Sequence, residues 1–164
     1  MEIPRSESPD SRLREVIAQA IHAEYVRNQK IKGETTETNS TLVGWEELPE
    51  HVKESNRAQA LHIAEKLKVI GCGITELEDR KLGEFEFTRE EIEQLARMEH
   101  ERWAEERLAN GWTVGPKDID KKTNPWLLLP YEELPDAEQE KDRESVRGIP
   151  KFLAKVGLAV RRQV

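Results

Sequence analysis

The chain is predicted to be mainly α-helical, a pseudo-two-fold pair of helix-loop-helix repeats with short β-strands in the connecting segments. Three observations predict it. Apolar residues recur at spacings of three and four along several stretches, the mark of an amphipathic helix. Helix start and stop signals bound those stretches. The two halves also repeat each other. Positions Ile17, Ala18, His22 and Tyr25 recur 78 residues later as Leu95, Ala96, His100 and Trp103. Glu46-Glu47-Leu48-Pro49 recurs 86 residues later as Glu132-Glu133-Leu134-Pro135, with Asn56-Arg57, Ile63 and Leu67 falling on Asp142-Arg143, Ile149 and Leu153. The change of offset places eight extra residues in the second loop.

The first helix should start at Ser8-Pro9-Asp10-Ser11, which offers a cap, an N1 proline and an early acid. It should run to about Lys30, with Leu13, Ile17, Ala20, Ile21 and Tyr25 as its apolar stripe. Residues 31–44 hold Gly, Thr and Asn and predict a loop. A second helix should follow Pro49, carry Val52, Leu61, Ile63 and Leu67, and end at Gly71. Between Cys72 and Phe87 one or two short strands are expected, because Glu84-Phe85-Glu86-Phe87 alternates in period two. Thr88 and Glu91 stand at capping-box spacing and open the third helix, which should stop at Asn110-Gly111. Residues 112–130 are a long loop with prolines at 116, 125 and 130, and the last helix should span Pro135 to Gly157 with a break at Pro150. The boundaries that follow are 9–75 for the first repeat, 76–87 for a connector and 88–158 for the second repeat, with 1–8 and 159–164 as flexible ends.

The charge balance excludes some functions. There are 26 Lys and Arg against 33 Asp and Glu, a net charge of −7. A nucleic-acid surface needs a basic surplus, whereas here acids and bases alternate, as in Glu99-His100-Glu101-Arg102, in the manner of a solvated helix face. A single cysteine, Cys72, and a start lacking a basic and then apolar pattern predict a cytoplasmic protein. The longest apolar run, at Trp126-Leu127-Leu128-Leu129, falls far short of the roughly 18 residues of a membrane span.

Catalytic signatures fail on single residues. Gly71-Cys72-Gly73-Ile74-Thr75-Glu76 puts Glu where a dinucleotide turn needs its third glycine. No Gly-Lys-Ser/Thr occurs, and Ala104 stands where a zinc-protease helix needs its second histidine. No metal site and no cofactor are expected, and the chain reads as no enzyme. A distant alternative is a nucleotide hydrolase using His100 with Glu99 or Glu101 as base.

What repeats is His-x-x-aromatic, as His22/Tyr25 and His100/Trp103, each pair on one helix face. Two such faces could form a slot walled by Tyr25 and Trp103 that takes a planar ring; equally, both aromatics could pack in a core with the histidines hydrogen-bonded beside them. Arg107, four residues after Trp103, could pair with a phosphate or with a neighbouring Glu. Arg57 and Arg143 could fork onto a phosphate or join helices. Trp112, Trp126 and Tyr131 either anchor the long loop or line a site.

The stretch from Met98-Glu99-His100-Glu101-Arg102-Trp103 through Asn110-Gly111-Trp112-Thr113-Val114-Gly115-Pro116, with Asn124-Pro125 and Pro130-Tyr131-Glu132-Glu133-Leu134-Pro135, resembles the RyR domain, the repeat of ryanodine receptors. Residues 92–155 carry the resemblance most strongly. Residues 13–70 resemble the same repeat with its Gly-Trp loop shortened or lost, and Gly71-Cys72 resembles the junction between paired repeats. Val114 departs from the family's usual Tyr and Asn124 from its usual His, departures that bear on loop contacts more than on the fold.

The resemblance implies a regulatory, non-catalytic module that senses a ligand in the cleft between repeats, with adenine nucleotides or NAD-derived signals as the ligand class: ATP, ADP-ribose, cyclic ADP-ribose or NAD. It implies an attached or associated NAD-binding, channel or signalling effector as partner, with no nucleic acid and no direct membrane insertion. The expected ligand contacts are Tyr25, Trp103, His22, His100, Arg107, Trp112, Arg57, Arg143 and Tyr131. The alternative is a protein-interaction module whose aromatic cleft holds a peptide or partner loop.

Overall fold

A computed structural model of the chain describes residues 9–78 and 85–163. The elements run α1 (Pro9–Ile31), a 3-10 turn at Trp45–Glu47, α2 (Glu50–Leu61), α3 (Ile63–Val69), β1 (Cys72–Glu76), α4 (Arg89–Ala109), a second 3-10 turn at Tyr131–Glu133, α5 (Asp136–Arg147), α6 (Ile149–Ala154) and β2 (Leu158–Arg162). The described residues group into two compact units, one of residues 9–78, 85–86 and 148–163 and one of residues 87–147.

In the first unit α1 packs on α2, and α6 also touches α1. Ile17, Ala18 and Ile21 are buried, but Leu13 of the same stripe is exposed. The proposed cap at Ser8 lies outside the described residues. The helix expected from Pro49 to Gly71 is broken at His62, whose φ of −77° and ψ of −9° end α2 and begin α3. The break changes the helix phase, so Ile63 and Leu67 are buried while Leu61 is exposed. Gly71, at φ 73°, turns the chain into β1.

β1 pairs antiparallel with β2, and its central residue Ile74 stands opposite Val160. These two positions are 86 residues apart, the same offset at which Glu46-Glu47-Leu48-Pro49 recurs. The strand therefore lies at Cys72–Glu76 and not at the alternating stretch: Phe85, Glu86 and Phe87 form no strand, and Glu84 lies outside the described residues. The C-terminal residues expected to be loose carry β2 instead.

The last helix is also divided, and at the equivalent place. Gly148, at φ −76° and ψ −9°, separates α5 from α6, with Pro150 in the first turn of α6 rather than at the break. Its backbone matches that of His62. Glycine is needed here for space, because a Cβ would meet the Phe152 ring at 2.5 Å.

The second unit is α4 packed on α5, with the long loop between them. Thr88 accepts from the Glu91 backbone N–H while the Glu91 carboxylate accepts from the Thr88 N–H, the expected capping box. Gly111 at φ 83° ends the helix, where only glycine takes a left-handed turn without strain. Ile92, Leu95, Ala96, Leu127, Tyr131, Leu134 and Val146 are buried. The loop is pinned by Thr113 and Thr123, whose N–H groups bond the carbonyls of Lys122 and Asp118. Among the described residues no helix is long and apolar enough to cross a membrane.

Candidate functional site

The repeated histidines do the same work in each unit. His22 places Nε2 2.7 Å from the Val43 carbonyl, and His100 places Nε2 2.6 Å from the Leu129 carbonyl. Both carbonyls precede a 3-10 turn by two residues. A neutral imidazole has one N–H to give, and here it ties the incoming loop to the helix. His100 also sets Nδ1 4.0 Å from the Asp142 carboxylate. Both rings are buried.

The repeated arginines also match. Arg57 on α2 reaches Glu15 on α1 with Nε at 2.7 Å and Nη2 at 3.1 Å, and its Nη1 reaches Glu50 and Glu54. Arg143 on α5 reaches Glu93 on α4 at 2.6 Å, with Asp136, Glu140 and Gln139 around it. Each guanidinium is thus committed to joining two helices. The Arg57 bond, backed by its charge and by a bond from Trp45, holds the Glu15 carboxyl below the usual carboxylate range. Burial pushes Glu93 up, but the bonds from Arg143 and Tyr131 outweigh it and leave that carboxyl low as well.

Next to each arginine stands the aromatic of the 3-10 turn. Arg57 lies 5.6 Å from the Trp45 ring, and Lys53 lies 5.9 Å from it. In the second unit that position is Tyr131, which is buried and donates its hydroxyl to Glu93 at 2.9 Å. Burial and the Glu93 carboxylate push its pKa up to about 12. Trp45 escapes a reading based on His-x-x-aromatic, and the signal that finds it is its alignment with Tyr131 at offset 86.

The structure brings four of the sequence-predicted residues together on and beside α4. His100 stacks against Trp103 with ring centres 5.7 Å apart and planes 26° apart. The Arg107 guanidinium lies 5.6 Å from Trp103 and 5.0 Å from Trp112, inside the reach at which a cation is attracted to an indole face. Arg107 also bonds Glu106 at 3.2 Å. Burial lowers its pKa by penalising the charge, and the neighbouring Glu106 only partly offsets this. Beside it Arg102 is held bidentately by Glu99 and also bonds Glu106. Glu99 and Arg102, which the alternation of charge predicts on a solvated face, instead form with Glu106 a partly buried charge network.

Tyr25 belongs to the other unit. Its hydroxyl accepts from Asn39 Nδ2 at 2.8 Å, and Asn39 also reaches Glu34. Among the described residues no group of three or more His, Cys, Asp or Glu could hold a metal ion.

With this geometry in place, comparison with known families is specific. Residues 86–162 match the family model of the RyR domain. That stretch of the chain, from α4 to β2, is similar to the RyR domain family.

Proposed function

We propose that the chain is a non-catalytic ligand-sensing module for an adenine nucleotide or an ADP-ribose- or NAD-derived signal, acting on an attached or associated effector. The observation that carries this reading is the guanidinium of Arg107 set against the two indoles of Trp103 and Trp112. Stacking a base on an aromatic ring contributes about 1–3 kcal/mol, and a guanidinium suits a phosphate through paired N–H bonds. Arg107 sits where its charge is penalised by burial, so an arriving phosphate would relieve that penalty. Trp103 already carries His100 and Arg107 against it. A base therefore takes the place of Arg107 on the indole, and the guanidinium follows the phosphate.

Catalysis by the histidines is disfavoured by their bonds: His22 and His100 each commit Nε2 to a backbone carbonyl. Arg57 and Arg143 are committed to carboxylates and are assigned to the framework rather than to the ligand. We also read residues 9–75 as a shortened copy of the repeat. The support is that the His-to-carbonyl bond and the arginine-to-three-acids arrangement occur in both.

The test is calorimetric titration of the chain with ATP, ADP-ribose, cyclic ADP-ribose and NAD, repeated on Trp103→Ala and Arg107→Ala with folding checked by circular dichroism. Micromolar binding that is lost in both folded variants is expected. The second reading, an interaction module, is favoured by the exposure of Leu108, Val114 and Leu128. It takes over if no nucleotide binds, or if the folded variants bind as the parent does.

A further inference from the structure

Arg102 and Arg107 both lie on α4 and share an acid, but they are held differently. Arg102 gives Nε and Nη2 to the two oxygens of Glu99, each at 2.8 Å, and its Nη1 to Glu106 Oε2 at 3.1 Å. Arg107 gives Nη1 to that same Glu106 oxygen at 3.2 Å. One carboxylate oxygen thus serves two guanidiniums, whereas Glu99 closes a fork on Arg102 alone. All four residues lie in one compact unit. Glu24, Asn28 and Gln29 stand 78 residues before Arg102, Glu106 and Arg107, so the first half of the chain does not repeat this arrangement.

Two parallel charge-assisted bonds are stronger and more directional than one, so the Arg102–Glu99 pair is the fixed part and the Arg107–Glu106 contact the releasable part. Burial runs the same way: the side chains of Arg102 and Glu99 are 10% and 6% exposed, those of Arg107 and Glu106 16% and 19%. At Arg102 burial penalises the cation, but Glu99 and Glu106 outweigh it and the pKa is raised. At Arg107 burial prevails over Glu106, and the neighbouring Arg102 charge adds to it.

Two carboxylates face two guanidiniums, so the four charges cancel. An anion that reaches Arg107 adds negative charge to a cluster already neutral and partly buried, where repulsion between like charges is stronger than in water. A carboxylate must therefore give way. Glu106 can do so and keep a partner, because its oxygen stays on Arg102 Nη1 when Arg107 turns to the newcomer. The exchange needs no empty cavity, since the donor that the anion requires is the one Glu106 now holds. A phosphate can also take two parallel N–H bonds from the guanidinium where Glu106 takes Nη1.

We propose that Glu106 is the specificity-determining latch of the Arg107 site: its carboxylate holds the place of an incoming oxyanion, and a phosphate group binds by displacing it from the Arg107 guanidinium. This deepens the nucleotide reading and rests on it for the identity of the ligand. It adds a residue whose removal strengthens binding, the opposite of what a residue that merely positions Arg107 would show.

The experiment titrates the full chain with ATP, adenosine and inorganic pyrophosphate by calorimetry, without divalent cations, on the parent, Glu106→Gln and Glu105→Gln, with folding checked by circular dichroism. Glu105 is the exposed neighbour, and its substitution removes the same charge. ATP and pyrophosphate should bind about tenfold tighter to Glu106→Gln and within about threefold of the parent to Glu105→Gln, the size of one charged hydrogen bond. Adenosine should not distinguish the three proteins. An ATP affinity unchanged or weaker in folded Glu106→Gln overturns the proposal, and so does equal tightening in Glu105→Gln. A second measurement needs no variant: in the 15N-labelled parent, pyrophosphate should shift the Arg107 Nε–H resonance saturably and more than that of Arg102. An Arg107 resonance that stays in place, or moves less than that of Arg102, overturns the proposal. If pyrophosphate binds tighter to Glu106→Gln and ATP binds no better than pyrophosphate, the nucleotide reading falls and the latch stands. If ATP binds the parent and folded Glu106→Gln alike, the reverse holds. If no anion binds either protein, both fall.

Discussion

The α1–α2 region and the α4–α5 region share a framework and differ at one end of it. Each has a buried histidine whose Nε2 meets a loop carbonyl, at 2.7 Å for His22 and 2.6 Å for His100. Each has an arginine gripping one acid on the first helix and two on its own. At the C-terminal end of the first helix the likeness stops: Tyr25, Gln29 and Glu34 stand where Trp103, Arg107 and Trp112 stand in the other. The shared contacts are those that join helix to helix and loop to helix, so they are tasks of folding. The divergent positions do none of that joining in common.

The largest expected effect tests the framework. Leu67 and Leu153 are equivalent at offset 86, and both are almost fully buried, at 0% and 1% exposure. Leu67→Ala and Leu153→Ala should each cost about 2–5 kcal/mol, the range for a buried leucine truncated to alanine. Urea unfolding of the two variants should give values within about 1.5 kcal/mol of each other. A larger gap would break the equivalence at its centre.

A smaller effect is expected from the arginines. Arg57 and Arg143 are 15% and 19% exposed as side chains, between a surface pair worth about 0–1 kcal/mol and a buried one whose breakage costs about 3–5. Arg57→Ala and Arg143→Ala should each cost roughly 2 kcal/mol. The acid limb sharpens the comparison. Glu15 and Glu93 titrate below their ordinary value when folded, so they contribute stability that is present above the ordinary carboxylate pKa and lost as pH falls through the folded one. Each variant should flatten that loss, measured as denaturation midpoint against pH. A variant with the parent's slope would remove its arginine from the framework.

Much of this framework was legible locally. The capping box of Thr88 and Glu91 and the stop at Gly111 follow from short-range spacing, and the equivalence of Arg57 with Arg143 follows from the 86-residue offset. The break at His62 was not, because no Gly or Pro marks it; only its alignment with Gly148 does. β2 was missed for a different reason. Leu158-Ala159-Val160 is too short an apolar run to announce a strand, and its pairing partner lies 86 residues away, outside any local window. In the candidate site, Arg107 and Trp103 were visible as an i, i+4 pair. The closeness of Trp112 depends on the turn at Gly111, and the burial of Gln29 is something a periodic pattern cannot reveal for a polar residue.

The smallest expected effect separates the two 3-10 turns. Trp45 has no group that titrates in water, whereas Tyr131 is an acid whose folded pKa is pushed up to about 12 by burial and by Glu93. The raised pKa means that the neutral phenol is favoured on folding. Its contribution is fully present below the unfolded value near 10 and is lost as pH rises from about 10 to 12. Tyr131→Phe removes the bond to Glu93 and should cost about 1 kcal/mol at neutral pH. With increasing alkalinity the parent must place a phenolate beside a carboxylate, and the variant has no such burden. The stability gap should therefore close above pH 10 and reverse by about pH 12. Tyr25 is present in both proteins and cancels from the difference. A gap that stays constant to pH 12 would mean that the Tyr131 hydroxyl is not held on Glu93, and the Tyr131 turn would then lose the contact that distinguishes it from the Trp45 turn.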